Sequence, residues 1–343
     1  MNMQEAIAKV VSLQHLSRAE MQSVMRLIMT GESTSAQTGG FLIALRMKGE
    51  TVDEVTAAVE VMRELSTGVK YNHEHMVDTC GTGGDGASLF NVSTAASFVV
   101  AAAGGKVAKH GNRSASSNSG SADVLEQAGV KIDLTPDQVS RCVDQVGVGF
   151  MFAQLHHPAM KHTIGPRKEM KTRTIFNILG PMTNPAGATK QVIGVFNKEV
   201  QSLVAEVLKT LGSRHILVIH SDDGLDEISI ATTTSVTELK DGNIRQYQIR
   251  PEDFGIANRS LEGLQAHSAA ESLTLIKAAL ANESGEAADK ARDMIALNAG
   301  AAIYAADIAN SLTEGVTMAQ DAIASGQALN KLDELIAFTE IFA

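Results

Sequence analysis

The chain has 343 residues, enough for two domains or for one large domain with a smaller satellite. Hydrophobic residues make up 44% and aromatics only 4%, with no Trp, so the core must be built from Ala, Val, Ile, Leu and Met. The formal charge of −10 argues against nucleic acid or an anionic membrane as the bulk partner, and any anionic ligand must be held by local dipoles, a few cations or a metal.

Residues 1–68 read as helices. Ser17-x-x-Glu20 and Thr51-x-x-Glu54 are capping boxes. Behind them Met21, Val24, Met25 and Ile28, and then Val55, Ala58, Val59 and Met62, recur at helical spacing. Gly31, Gly49 and Gly68 stand where C-terminal caps belong. A third helix, over 37–47, is apolar enough to be largely buried. Helices this short enclose little core of their own, so they are expected to pack on another element or on a second subunit.

From Met76 strand and helix alternate. Strands are predicted at 106–110, 130–134, 148–152, 189–196 and 215–220. Helices are predicted from 122, from Thr135-Pro136 with Pro in the first turn, and over 198–211. The alternation predicts an α/β fold whose large domain has a mostly parallel central sheet flanked by helices, beside a small all-helical domain. Asp241-Gly242 inside 238–244 signals a hairpin, so part of the sheet is antiparallel. The C-terminal stretch is Ala-rich and helical. Only 156–187 breaks the pattern, with Pro158, Pro166, Pro181 and Pro185 and a short helix predicted near 168–178. It is expected to cross back to the N-terminal helices. Cys80 and Cys142 show no framework spacing, and Cys80 is read as a small packing residue. With no signal-peptide pattern and no apolar run near the ~20 residues a span needs, a cytoplasmic protein is expected.

The most informative stretch is Asp78-Thr-Cys-Gly-Thr-Gly-Gly-Asp-Gly-Ala-Ser-Leu-Phe-Asn-Val-Ser-Thr94. Glycines let backbone approach a ligand, and successive free N–H groups make an anion-binding concavity. Asn91, Ser93 and Thr94 open an apolar helix whose positive end points back at the turn, so a phosphate or pyrophosphate site is predicted. The dinucleotide fingerprint G-x-G-x-x-G fits Gly81, Gly83 and Gly86 but fails in context: the helix starts late, and Lys106, Lys109 and His110 follow instead of an acid. A glycine-rich turn with no ligand is the alternative.

A second segment, Lys109-His-Gly-Asn-Arg-Ser-Ala-Ser-Ser117 running on to Ser121, reads as a polyanion clamp. Lys supplies a point charge, Arg a bidentate fork, and the serines donors, with hydroxyls rather than acids for company. A solvated polar loop is the alternative. Third, Asp222-Asp-Gly-Leu-Asp226-Glu227 follows an apolar strand, where hard oxygen donors suit a magnesium ion that also touches phosphate. An exposed acidic turn fits equally. Arg167 could face a substrate carboxylate or be a surface residue. His156, His157 and His162 match no standard zinc spacing.

Together, D-x-x-GTGGDG, FNVST, KHGNR…SGSADVLE and RTIFN-LGP-TNPA, in this order along nearly the whole chain, resemble the anthranilate phosphoribosyltransferase family. The resemblance implies transfer of a ribosyl phosphate from phosphoribosyl pyrophosphate to the amine of anthranilate, releasing pyrophosphate, with Mg²⁺. It implies a homodimer, with residues 1–70 and part of about 163–188 as the small dimerising domain and 71–162 with 189–343 as the large phosphoribosyl-binding domain. Positions implied for the sugar donor are Gly81, Gly84, Asp85, Leu89, Asn91, Val92, Ser93, Thr94, Lys109, His110, Gly111, Asn112, Arg113, Ser114, Ala115, Ser116, Ser117 and Ser121. Gly81, Asn112 and Arg167 are implied for anthranilate, and Ser93, Asp226 and Glu227 for the metal. Leu89 stands where many relatives have Thr, so only its backbone could serve there, and Met170-Lys171 replaces the more usual Leu-Gly beside Arg167.

The amine is already a nucleophile, so no activated Ser, Cys or Lys is required, and no catalytic side chain is assigned. Positioning two substrates, excluding water and neutralising the leaving pyrophosphate should supply the rate. Rival readings are a pyrimidine nucleoside phosphorylase, whose turn and clamp differ from GTGGDG and KHGNR, and a non-catalytic nucleic-acid-binding relative, which should show a basic groove.

Overall fold

A computed structural model of the chain describes residues 1–71, 73–114 and 118–342; of the predicted clamp, Ala115, Ser116 and Ser117 lie outside the described residues. The N-terminal region is helical: α1 (Met3–Val11), α2 (Arg18–Met29), α3 (Ser35–Lys48) and α4 (Val52–Glu64). Each opens on a reciprocal capping box, Asn2 with Glu5, Ser17 with Glu20, Thr34 with Gln37 and Thr51 with Glu54. Gly31 and Gly49 end α2 and α3 at φ of 79° and 86°, in the left-handed region. Gly68 caps nothing, because α4 stops earlier, at Glu64, with Leu65 as its cap. Nor is α3 largely buried: it sinks one face, through Thr38, Phe41, Leu42, Ala44 and Leu45, and leaves Met47 80% exposed.

The α/β region follows with β1 (Met76–Val77), α5 (Val92–Ala102), β2 (Lys106–Gly111), α6 (Ser121–Ala128), α7 (Pro136–Gln145) and β3 (Val148–Phe152). Next come α8 (Ala153–His156), α9 (Lys161–Met170) and α10 (Phe176–Met182), then β4 (Lys190–Gly194), α11 (Val200–Thr210), β5 (His215–Ser221), β6 (Thr234–Lys240) and β7 (Asn243–Ile249). The chain finishes with α12 (Ala269–Leu280), α13 (Glu286–Ala305), α14 (Leu312–Ala324) and α15 (Gln327–Glu340).

Strands β1, β2 and β3 pair in parallel, as do β4 and β5, while β5, β6 and β7 pair antiparallel. Asp241 and Gly242, at φ of 48° and 79°, make the predicted hairpin turn. A bridge joins the two sheets: the Asp78 N–H donates to Lys190 O at 3.1 Å, and the Val192 N–H donates to Asp78 O at 3.0 Å. Strand order is therefore β3-β2-β1-β4-β5-β6-β7, and it runs outward in both directions from the β1–β4 seam. At such a switch point ligands gather beyond the carboxyl ends of the strands.

Two further sequence expectations fail in the α/β region. Residues 130–134 form no strand: Val130, Ile132 and Leu134 are buried in strand-like alternation, but no ladder partner lies beside them among the described residues. The Lys131 N–H instead donates to Thr339 Oγ1, 3.2 Å away on α15. The helix expected near 168–178 is two helices, because α9 ends where Lys171 turns left-handed at φ 46° and α10 begins only at Phe176. Helix α9 packs on α2 and α3, and α10 packs on α4. One apolar cluster contains Met21, Phe41, Leu45 and Val59 from the N-terminal helices with Ile175, Phe176 and Leu179 from this segment.

Candidate active site

The β1–β4 seam carries the glycine turn. Gly83, Gly84 and Gly86 take φ of 64°, 83° and 78°, so the turn needs residues without a Cβ penalty there. Gly81 is required by space instead: a Cβ on it would lie 2.8 Å from Asp226 Oδ2 and 3.3 Å from Gly194 O. The Gly83 N–H donates to Asp226 Oδ2 at 2.7 Å, so one backbone amide of the turn already grips an anionic oxygen. That is what a phosphate-binding concavity does. Helix α5 begins with Val92, Asn91 being its cap residue. Asn91 does not cap with its side chain; its Oδ1 accepts from Ser119 Oγ at 3.0 Å and Ser272 Oγ at 2.8 Å, tying the helix start to the loop before α6 and to α12. Leu89, half-buried, bridges Gln265, so the strand-like run before the helix is pinned from the C-terminal region.

Below the turn Asp78 is fully buried. Its Oδ1 accepts from the His110 N–H at 3.1 Å and its Oδ2 from Asn184 Nδ2 at 2.7 Å. Burial pushes this carboxyl up to about 6, with Lys109 pulling the other way. Lys109, 2% exposed, donates from Nζ to Thr79 O at 2.9 Å and reaches Ser93 Oγ at 3.3 Å. Burial holds its ammonium below the ordinary lysine range, while nearby acidic groups partly offset the effect. Lys109 is thus a buried charge at the base of α5, not a loop cation. Burial raises the Cys80 thiol far above its usual range, which disfavours the reactive thiolate.

The clamp differs from expectation at Arg113. Its guanidinium pairs with Asp123 at 3.0 Å and with Glu126 at 2.5 and 2.8 Å, and lies 5.6 Å from the Phe152 ring centre. Among the described residues its partners are acids on α6, because α6 starts only eight residues later and turns that face toward the loop. Asn112 Oδ1 accepts from the Arg113 N–H at 2.8 Å, and the Ser114 N–H donates to Asp123 at 3.1 Å. Gly111 ends β2 against Phe150 and Ser121, where a Cβ would meet the ring at 2.8 Å.

Asp226 and Glu227 lie side by side beyond β5, half-buried, and line one small cavity with Thr79, Gly81, Ser93, Gly194 and Asn298. They face different neighbours: Asp226 meets the glycine turn, and Glu227 lies by the Ser93 amide and Lys109. Burial first, and then the Asp85 carboxylate, push Asp226 up to about 7. Burial and Asp226 hold Glu227 well above the usual carboxylate range. Mutually repelling, partly desolvated acids are relieved by a divalent cation. Among the described residues no group of three His, Cys, Asp or Glu could complete a protein cage. Two carboxylates and the Ser93 hydroxyl suit magnesium, which keeps waters and takes substrate phosphates as further ligands.

Arg167 lies on α9, half-buried, with its guanidinium 5.5 Å from the Phe176 ring centre and no acid partner among the described residues. Burial holds it below the ordinary arginine range. The three histidines diverge: His156 Nδ1 meets Thr67 O at 2.7 Å, the His157 ring lies tilted 5.1 Å from that of His110, and His162 lies against Gly31. Sequence reasoning missed Arg173, whose Nη2 donates to Gly84 O at 2.5 Å while its guanidinium sits 4.0 Å from the Phe196 ring centre. Its place inside the RTIFN run was the available signal.

The chain matches the helical bundle domain of a glycosyl transferase family over residues 4–66 and the a/b domain of the same family over 73–329. It is 62% identical to an anthranilate phosphoribosyltransferase of Cellvibrio japonicus over 99% of each chain, and 63% identical to one of Hahella chejuensis over 100% of this chain and 99% of the other. A crystal structure of the Thermus thermophilus enzyme superimposes with TM-score 0.91 at 40% identity, covering 98% of this chain and 99% of that one. A Saccharomyces cerevisiae structure, described as in complex with PRPP and Mg, gives TM-score 0.90 at 25% identity over 98% of each chain. With its glycine turn, buried lysine and acid pair gathered at one strand switch, the chain belongs to the anthranilate phosphoribosyltransferase family.

Proposed function

We propose that this enzyme transfers the phosphoribosyl group of phosphoribosyl pyrophosphate to the amine of anthranilate, giving N-phosphoribosyl anthranilate and pyrophosphate in tryptophan biosynthesis. The observation that carries the reading is the convergence of the Gly81–Gly86 turn with Asp226 and Glu227 at the β1–β4 seam, where Gly83 already holds a carboxylate oxygen. The donor's pyrophosphate would lie on the amides of the turn and the start of α5, with its sugar phosphate toward the 109–121 loop. Ser93, Asp226 and Glu227 would hold Mg²⁺, which supplies charge neutralisation to the leaving pyrophosphate. Lys109 contributes a fixed positive charge beneath the same helix start. Arg167 would pair with the anthranilate carboxylate beside Gly81 and Asn112; a guanidinium that is half-buried and has no acid partner among the described residues is suited to that role.

Residues 1–70 with part of 163–188 would form the small domain and the dimer contact, and 71–162 with 189–343 the large one. Support for a dimer through α1 and α3 comes from Val11, Leu13 and Met47, which are 64%, 67% and 80% exposed. The 3.0 Å contact between Lys48 Nζ and His15 Nδ1 brings the chain beside Leu13 and Met47 to one end of the pair. A cytoplasmic site of action fits the biosynthetic role; among the described residues no helix is long and apolar enough to cross a membrane. The test is to mix protein, Mg²⁺, phosphoribosyl pyrophosphate and anthranilate and follow anthranilate fluorescence. A magnesium-dependent decay is expected, and its absence refutes the assignment.

A further inference from the structure

Gly84 sits at φ 83° between Gly83 and Asp85, and a glycine there loses nothing by rotating its peptide plane. In a trans peptide the carbonyl of Gly84 and the N–H of Asp85 point in opposite directions. A turn that is to hold an anion must keep such carbonyls turned away and such amides turned in. Arg173 fixes that choice. Its Nη2 donates to Gly84 O at 2.5 Å, which sends the Asp85 N–H to the other side of the turn. Its guanidinium lies 4.0 Å from the centre of the Phe196 ring, just past β4, so the fork rests over the ring rather than waving in solvent. The Phe196 N–H in turn donates to Thr82 Oγ1 at 3.1 Å, so the platform is itself fastened to the turn.

The backbone of Arg173 is held from the other side. Arg46 on α3 donates from Nη1 to Thr172 Oγ1 at 2.5 Å and to Arg173 O at 2.6 Å. Arg173 has no carboxylate partner among the described residues, so its charge is spent on the turn alone. We infer that Arg173, stacked on Phe196 and anchored through Arg46, is a positioning residue that keeps the Gly84–Asp85 peptide in its anion-accepting orientation for the phosphoribosyl donor. The inference rests on the donor reading given above.

In steady-state assays Arg173→Ala is expected to raise the KM for phosphoribosyl pyrophosphate about tenfold, the worth of one charge-assisted hydrogen bond. The anthranilate KM at saturating donor should stay within about twofold, and the melting temperature should be unchanged because the side chain is exposed. Added guanidinium ion should lower the donor KM of Arg173→Ala by filling the slot over Phe196, and urea at the same concentration should not. Phe196→Leu, which removes the aromatic platform, should raise the donor KM by a smaller factor. Wild-type protein with no magnesium-dependent transfer would overturn the reaction assignment and this inference with it. Active wild-type protein with an unchanged donor KM in Arg173→Ala overturns the inference alone. So does an equal rise in both KM values with a lowered melting temperature, which marks a merely structural role. If Arg173→Ala fails to fold, Arg173→Lys and Phe196→Leu decide: a donor KM raised in both supports the inference, and any other result overturns it.

Discussion

Replacing Gly194 by Ala tests whether the acid pair must sit where the fold puts it. Gly194 ends β4, and the chain carrying Asp226 crosses directly over it: a Cβ on Gly194 would fall 1.5 Å from Asp226 O, 2.5 Å from Asp226 C and 3.0 Å from Asp226 Cβ. Ordinary contact needs more than about 3.4 Å, so one segment or the other must retreat by roughly 2 Å. Neither is free to do so cheaply. β4 is paired to β5, and the residue after it donates from the Val195 N–H to Ile219 O at 3.0 Å. The opposing segment is clamped by Asn298, which accepts from the Ile228 N–H at 2.9 Å and donates to Ile228 O at 3.0 Å. It is clamped again by Ser221 Oγ, which donates to Glu227 O at 2.6 Å. A misplacement of about 1 Å at reacting groups costs on the order of 100-fold, so kcat/KM should fall at least about 100-fold. Overpacking should also cost about 1–3 kcal/mol of stability. Initial rates from anthranilate fluorescence across a magnesium titration, with a thermal melt of the same sample, measure both. A well-folded variant within about threefold of the wild-type rate, with unaltered magnesium dependence, would refute the placement of Asp226 at the reacting end of the donor.

Arg167→Ala should raise the anthranilate KM by one to two orders of magnitude, about 1.5–3 kcal/mol for a charge-assisted pair, and leave the donor KM nearly untouched; an unchanged anthranilate KM removes Arg167 from the site. The buried histidines make acid costly. Burial pushes His110 down to about 3 and His157 down to about 4, whereas an unfolded chain takes up their protons near 6.5. Between those values the unfolded state binds more protons, so stability is full above about 6.5 and falls as pH drops toward 4, by about 2 kcal/mol at pH 5 for His157 alone. Asp78, pushed up to about 6, works in the opposite sense, so the measurement is the difference in melting temperature between pH 7 and pH 5 for wild type and for His157→Leu. Equal pH slopes in the two proteins would contradict the argument.

What the sequence disclosed well was whatever depends on local chemistry. Ser17-x-x-Glu20 and Thr51-x-x-Glu54 found their helices because a capping box satisfies orphan amides with neighbours three residues away. The hairpin at Asp241-Gly242 and the glycine turn were legible for the same reason, since left-handed backbone writes itself as Gly, Asn or Asp. Residues 130–134 misled because alternate burial of Val130, Ile132 and Leu134 needs only a wall on one side, and α15 supplies that wall without a ladder. Lys171 concealed the end of α9, since a lysine gives no sign of the left-handed turn it makes there. The partners of Arg113 and the latch by Arg173 depend on which acid or carbonyl tertiary packing brings near, Glu126 in one case and Gly84 in the other. No spacing in the chain encodes that.

The Asp226 carboxylate resting on the Gly83 amide makes the protein its own first tenant at that seat. A tethered occupant competes at a high effective concentration, so a stray phosphate must evict it unaided. A diphosphate escorted by a divalent cation offers the displaced acid a new partner in the same encounter. On the donor reading proposed above, the turn would tell escorted anions from solitary ones before any sugar is recognised.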